Sequence, residues 1–159
     1  MTTYGTWLRG DARGWVEEGR LYPPDPDQEF ADRQRMKHDP FMLDANQLMP
    51  IGAAMGASLQ NRLQQRILAL TVQTWHVHFV VSDSDRPISE VVKCAKDAVR
   101  YLLRAGRPIW TDGYDKRFCF DQQTLWNRIQ YVEWHNIERG MPPRPWPFIV
   151  PSDGLITPS

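Results

Sequence analysis

The chain has 159 residues, 24% charged and 42% hydrophobic, and nineteen basic side chains balance nineteen acidic ones to a formal net charge of zero. That length suits one domain with a real core. The balance excludes a disordered tail and a strongly basic nucleic-acid coat. No apolar stretch reaches the length of a membrane span. The opening MTTYGTWLRGD also lacks the apolar region of a signal peptide, so a cytoplasmic protein with no membrane partner is expected. Cys94 and Cys119 are far apart and outside any CxxC spacing, which reads as two reduced thiols.

Residues 2 to 8 alternate Tyr4, Thr6 and Leu8 against Thr3, Gly5 and Trp7, as a strand does, and Arg9-Gly10-Asp11 reads as a turn. Residues 10–45 are charged and broken by Pro23, Pro24, Pro26 and Pro40. They read as an irregular insertion with a short helix near 28–36. Asp44 can cap a helix running to about residue 65, with Pro50 in its first turn or restarting it. Leu59, Leu63 and Ile67 recur there at steps of four. The apolar run 68–81 reads as a central strand.

After a turn at 84–87, Ser89 can cap a helix to Ala105, ended by Gly106 with Pro108 beyond. Its apolar face is Val91, Ala95, Val99 and Leu102 or Leu103. Lys93, Lys96, Arg100, Arg104 and Arg107 recur on the other side, as a solvated face or a phosphate-contacting surface. Residues 109–115 form a loop in which Trp110 and Tyr114 anchor the chain or stack on unpaired bases. Residues 117–120 read as a short strand. Asp121 caps a third helix, 122–138, stopped by Gly140 and Pro142. On it Leu125, Ile129 and Val132 share one face, and Tyr131 and His135 lie on a flank about 100° away. Asp11 and Glu133 read as surface charges. Residues 141–159 form a proline-rich extended tail, leaving a domain at 1–140. The alternation of strands and helices predicts a small α+β sandwich, with helices on one face of an antiparallel sheet.

The chemistry centres on His76-Val77-His78. In a strand, residues i and i+2 share a face, so both imidazoles project together with Cα atoms about 6–7 Å apart. Val77 turns to the opposite, apolar face. Two of the chain's four histidines are here. His135, one helical turn beyond Tyr131, can complete a metal site if the third helix packs beside the strand. Imidazoles suit Zn²⁺ or Ni²⁺ as well as Mg²⁺ or Mn²⁺, so the ligands alone do not pick the ion. A phenol is a poor nucleophile at neutral pH, and becomes useful against a phosphodiester polarised by a divalent cation.

His76-Val77-His78 resembles the histidine–hydrophobe–histidine motif of HUH single-tyrosine transposases, which include the smallest insertion-sequence transposases and the REP-associated tyrosine transposases. Tyr131-Val132-Glu133-Trp134-His135-Asn136 is similar to their tyrosine helix. The opening Tyr4-Gly5-Thr6-Trp7-Leu8-Arg9-Gly10-Asp11 and the segment 110–120 extend the likeness from residue 4 to about 140. Trp75 stands where that family often has Asn or Asp. The resemblance implies a ferredoxin-like HUH endonuclease fold acting as a homodimer on single-stranded, hairpin-bearing DNA. It implies Mg²⁺ or Mn²⁺ on His76, His78 and a third ligand, and Tyr131 as nucleophile forming a 5′-phosphotyrosine. His135 is preferred over Asn136 as the third ligand, because on the helix wheel Asn136 falls near the apolar face. The DNA would run along Lys93, Lys96, Arg100, Arg104 and Arg107. The alternatives are a domesticated relative that binds DNA without turnover, and a small zinc hydrolase that uses three histidines and water.

Overall fold

The computed structural model describes residues 1–150. The protein is a mixed α+β fold with two small antiparallel sheets and four helices, in the order β1 (Trp15–Glu17), β2 (Arg20–Tyr22), α1 (Pro26–Arg35), α2 (Leu48–Leu63), β3 (Ile67–Val72), β4 (Val77–Val81), α3 (Ile88–Leu103) and α4 (Gln122–Ile137).

The apolar run expected as one strand is a hairpin. β3 and β4 pair antiparallel with Leu70 opposite Phe79, Thr71 opposite His78 and Val72 opposite Val77. Gln73 and Thr74 break the run of β-branched and aliphatic residues, and the chain reverses over 73–76. β4 has a second neighbour. Thr3 N donates to Trp75 O and Val77 N to Met1 O, both at 2.8 Å. On its far side this N-terminal stretch meets residues 109–111: Tyr4 N donates to Ile109 O and Thr111 N to Thr2 O. The two bridges, Thr2 with His76 and Thr3 with Trp110, are both antiparallel. Extended backbone therefore runs in the order 109–111, 1–4, β4, β3. The expected strand 2–8 is confined to its first residues, because Gly5 turns the chain at φ +71°. Residues 117–120 form no strand.

All six residues of β3 are buried, which requires cover on both faces. This corrects the expectation of helices on one face only. Leu70, Val72 and Val77 join the core built with Ile51, Met55 and Leu59 of α2 and Val91, Ala95 and Val99 of α3. Leu68 and Ala69 pack instead with Ile129 and Val132 of α4. Strand alternation then places Thr71, His76 and His78 on the α4 side.

Local chemistry explains the helix ends. Asp121 caps α4, its carboxylate accepting from Thr124 N at 2.7 Å. Asp44 caps a single 3-10 turn, Ala45–Gln47, that leads into α2. α3 starts at Ile88 after Pro87, so Ser89 lies inside the helix rather than at its cap. α2 and α3 end on Gln64 and Arg104 in the left-handed region, φ +54° and +46°. The region 10–45 is more regular than expected, because Gly14 and Gly19 permit the turns that frame β1 and β2, and Asp25 with Pro26 starts α1.

The segment expected as an extended tail contributes to the core up to residue 150. Trp146 is 3% exposed and donates its indole N–H to Met49 O at 3.0 Å. Its ring and that of Phe148 lie where side chains at Gly52 and Gly56 of α2 would be. Residues 151–159 of that expected tail lie outside the described residues. Two expected surface charges are also held. Asp11 is 8% exposed and makes a fork with Arg13, and Glu133 accepts from Arg144 at 2.7 Å.

Candidate metal and nucleophile site

His76, His78, Tyr131 and His135 meet in one place. The centroid of the His76 ring is 4.7 Å from that of His78 and 6.1 Å from that of His135, and His78 and His135 stack 5.9 Å apart. Tyr131 stands edge-on to His135 at 4.6 Å and to His78 at 5.9 Å. His76, at the bridge just before β4, and His78 within β4 supply two rings from one face. α4 supplies the others because Ile129 and Val132 dock on β3, turning the flank that carries Tyr131 and His135 toward His78.

His76 and His78 are kept neutral. Burial is the main reason that the His76 pKa falls to about 3, with the charges of His78 and His135 adding to it. Burial likewise pushes His78 down to about 4, helped by the Met1 ammonium and His135. Asp115 acts in the opposite direction at His78. Neutral imidazole is the form that binds a metal. His76 Nδ1 and His135 Nε2 are buried without a hydrogen-bond partner, as is the Thr71 hydroxyl across from His78. Orphaned donors and acceptors of this kind cost about 1–3 kcal/mol each, so a ligand that satisfied them would be favoured.

Three imidazoles around one ion, at nitrogen distances near 2.1 Å, place ring centroids about 4.5–5.5 Å apart. The observed spacings are within about an ångström of that. As the side chains stand, no set of three His, Cys, Asp or Glu among the described residues is spaced to hold a metal ion. Small side-chain rotations that drew the three rings inward would be needed. The donor set and its orphaned nitrogens otherwise fit a divalent cation.

Asn136 has a different role. It is fully buried, and its amide donates to Leu70 O at 2.9 Å and to Pro143 O at 3.0 Å, tying α4 to β3 and to the segment after it. That leaves His135 as the α4 side chain facing the two strand histidines. Tyr131 is 45% exposed, and its hydroxyl has no hydrogen-bond partner among the described residues.

Two neighbours have no role assigned from the sequence. Trp75 packs its ring against His76 at 3.9 Å and lies under the Arg13 guanidinium at 4.5 Å, so the 5–14 loop braces the first histidine. The Asp11–Arg13 pair was legible only as two nearby opposite charges. Arg128 is the other: it lies one turn before Tyr131 and two before His135, a spacing visible in the sequence.

The basic residues of α3, with Arg104 and Arg107 just after it, line a groove of about 800 Å³ between α3 and the 105–114 loop, to which none of the four site side chains contributes, and Trp110 and Tyr114 also line it. Most of their charge is engaged. Lys93 and Arg100 share Asp97, Lys96 donates to the carbonyls of Thr111 and Gly113, and Arg107 donates to Asp39 O. Trp110 is buried and donates to Lys96 O, an anchoring role. No helix among the described residues is long and apolar enough to cross a membrane. No protein-family model, curated protein or solved structure matches the chain.

Proposed function

We propose that the chain is a HUH-type endonuclease and strand-transferase of single-stranded DNA, with Tyr131 as its nucleophile. The observation that carries this reading is the convergence of Tyr131 with three imidazoles from two stretches of chain more than fifty residues apart in sequence. The chain path supports it as well. Counting the extended stretches 1–4, β3, β4 and 109–111 in sequence, with α2 after the first and α3 after the third, their spatial order is 4-1-3-2 and every neighbouring pair is antiparallel. That order is the one expected of a ferredoxin-like sheet, the fold that the resemblance implies, and so supports the reading.

His76, His78 and His135 would hold Mg²⁺ or Mn²⁺, which when bound supplies Lewis-acid polarisation of the scissile phosphate. Tyr131 does the covalent work. Its phenolic oxygen forms a bond to phosphorus, the bond from phosphorus to the 3′ oxygen breaks, and that oxygen leaves with a proton as a 3′-OH. The phenol's proton passes to water. The product is a 5′-phosphotyrosine. Attack by a 3′-OH on it reverses the sequence and joins strands, with no outside energy source because one phosphoester replaces another. The α3 groove would carry flanking phosphates, and the protein would act as a homodimer; both belong to the same reading.

Incubation with single-stranded oligonucleotides and Mn²⁺, followed by a denaturing gel, tests it. A covalent adduct is expected from the wild type and none from Tyr131→Phe, with folding and DNA binding nearly unchanged. Undiminished cleavage by the Phe variant would refute the tyrosine mechanism and favour a three-histidine hydrolase that uses water.

A further inference from the structure

We propose that Arg128 is the phosphate anchor of this site: its guanidinium takes a non-bridging oxygen of the scissile phosphodiester and holds it for attack by Tyr131. The inference rests on the reading above and adds a residue to it. At 100° per residue, Arg128 and His135 differ by about 20° around α4, and Tyr131 lies between them along the axis, within about 60° of either. Arg128, Tyr131 and His135 therefore form one line of side chains, two turns long, on the flank that faces β4.

The electrostatics agree with this placement. The charge of Arg128 is felt at His78, which puts the guanidinium near that ring. Arg128 is half-buried, and among the described residues it has neither an ion-pair nor a hydrogen-bond partner. The nearby arginines are engaged: Arg13 is forked to Asp11 and Arg144 is bonded to Glu133. A half-buried guanidinium without a carboxylate, in line with an open phenol, is arranged to receive an anion. The planar fork of arginine suits two oxygens of one phosphate. Charge that develops on those oxygens as Tyr131 attacks would strengthen the contact, which makes it an aid to the reaction as well as to binding.

The test uses the full chain in two measurements. The first is the single-turnover rate of adduct formation with a labelled single-stranded oligonucleotide and Mn²⁺, for the wild type, Arg128→Gln and Arg128→Lys. Arg128→Gln is expected to be slower by about 10- to 100-fold, with Arg128→Lys recovering part of the loss, since a charge is kept and the fork is not. The second is the salt dependence of oligonucleotide binding by the Tyr131→Phe protein with and without Arg128→Gln. Loss of one phosphate contact should flatten the slope by about 0.7 log units per log unit of salt. Mn²⁺ affinity, measured with the metal alone, should stay within about twofold. A slowed adduct with an unchanged salt slope would still support the anchor, as a contact made only during attack. An adduct rate within twofold of wild type together with an unchanged slope would overturn it. If the wild type forms no adduct, the cleavage reading falls by itself, and the salt slope alone decides Arg128.

Discussion

The pair of buried His76 and half-buried His78 should make stability strongly pH-dependent between about pH 4 and 6.5. His76 titrates near 3 and His78 near 4 in the folded chain, against an ordinary value of about 6.5. Between those values the unfolded chain binds protons that the folded chain refuses. Folding stability therefore rises with pH there, and is lost as pH falls from about 6.5 toward 4. Each histidine contributes a slope of up to about 1.4 kcal/mol per pH unit, or about 1.9 kcal/mol from pH 7 to pH 5. His76 and His78 repel each other only when both are charged, so the first proton enters at a smaller penalty. The pair should then cost about 2–4 kcal/mol over that interval. Urea unfolding of the metal-free protein with chelator present would read this as a midpoint lower by about 1–2 M at pH 5, for a slope near 2 kcal/mol per molar. The control is His76→Gln with His78→Gln, which keeps the polar side chains and removes the titration. Its midpoint should change little between pH 7 and pH 5, because the acids held by partners, such as Asp11 beside Arg13, titrate lower still. If the wild type and the double variant lose stability in parallel, the two imidazoles are not the buried neutral groups described above.

His135 and Asn136 should separate cleanly. His135→Ala is expected to weaken Mn²⁺ or Co²⁺ binding in calorimetry by at least tenfold while barely moving the melting temperature. Asn136→Ala should leave the metal affinity alone but cost about 1–3 kcal/mol in denaturant unfolding, since the carbonyls of Leu70 and Pro143 lose their buried donor. Trp146→Ala should cost about 3–5 kcal/mol, because it empties a core position against Gly52 and removes the bond to Met49 O; a loss under 1 kcal/mol would mean that residues 141–150 do not help to form the core.

Local rules carried a large part of the reading. The period-two pattern put His76 and His78 on one face, and the wheel put Tyr131 and His135 on one flank; both relations hold because they depend only on backbone geometry within a single element. Asp121 caps its helix because the bond it makes is three residues long. The run 68–81 reads as one strand because apolar content is blind to a reversal: β3 is buried throughout, β4 is largely apolar though only Val77 in it is fully buried, and only Gln73 and Thr74 mark the turn. The sidedness of the helices was undetermined for the same reason, since a strand buried on both faces shows no alternation to say which helix covers which side. Asp11, Glu133 and the segment around Trp146 looked exposed because charge and proline usually are, and their partners lie too far along the chain, or across it, for a pattern to pair them. The sequence by itself determined which side chains share a face of each element. Only the tertiary structure decided that the face of the 76–81 stretch carrying His76 and His78 meets the flank of α4 carrying Tyr131 and His135. That meeting is set by the docking of Ile129 and Val132 on Leu68 and Ala69, a nonspecific apolar contact whose energy depends on the area it buries and leaves no signature in the order of residues.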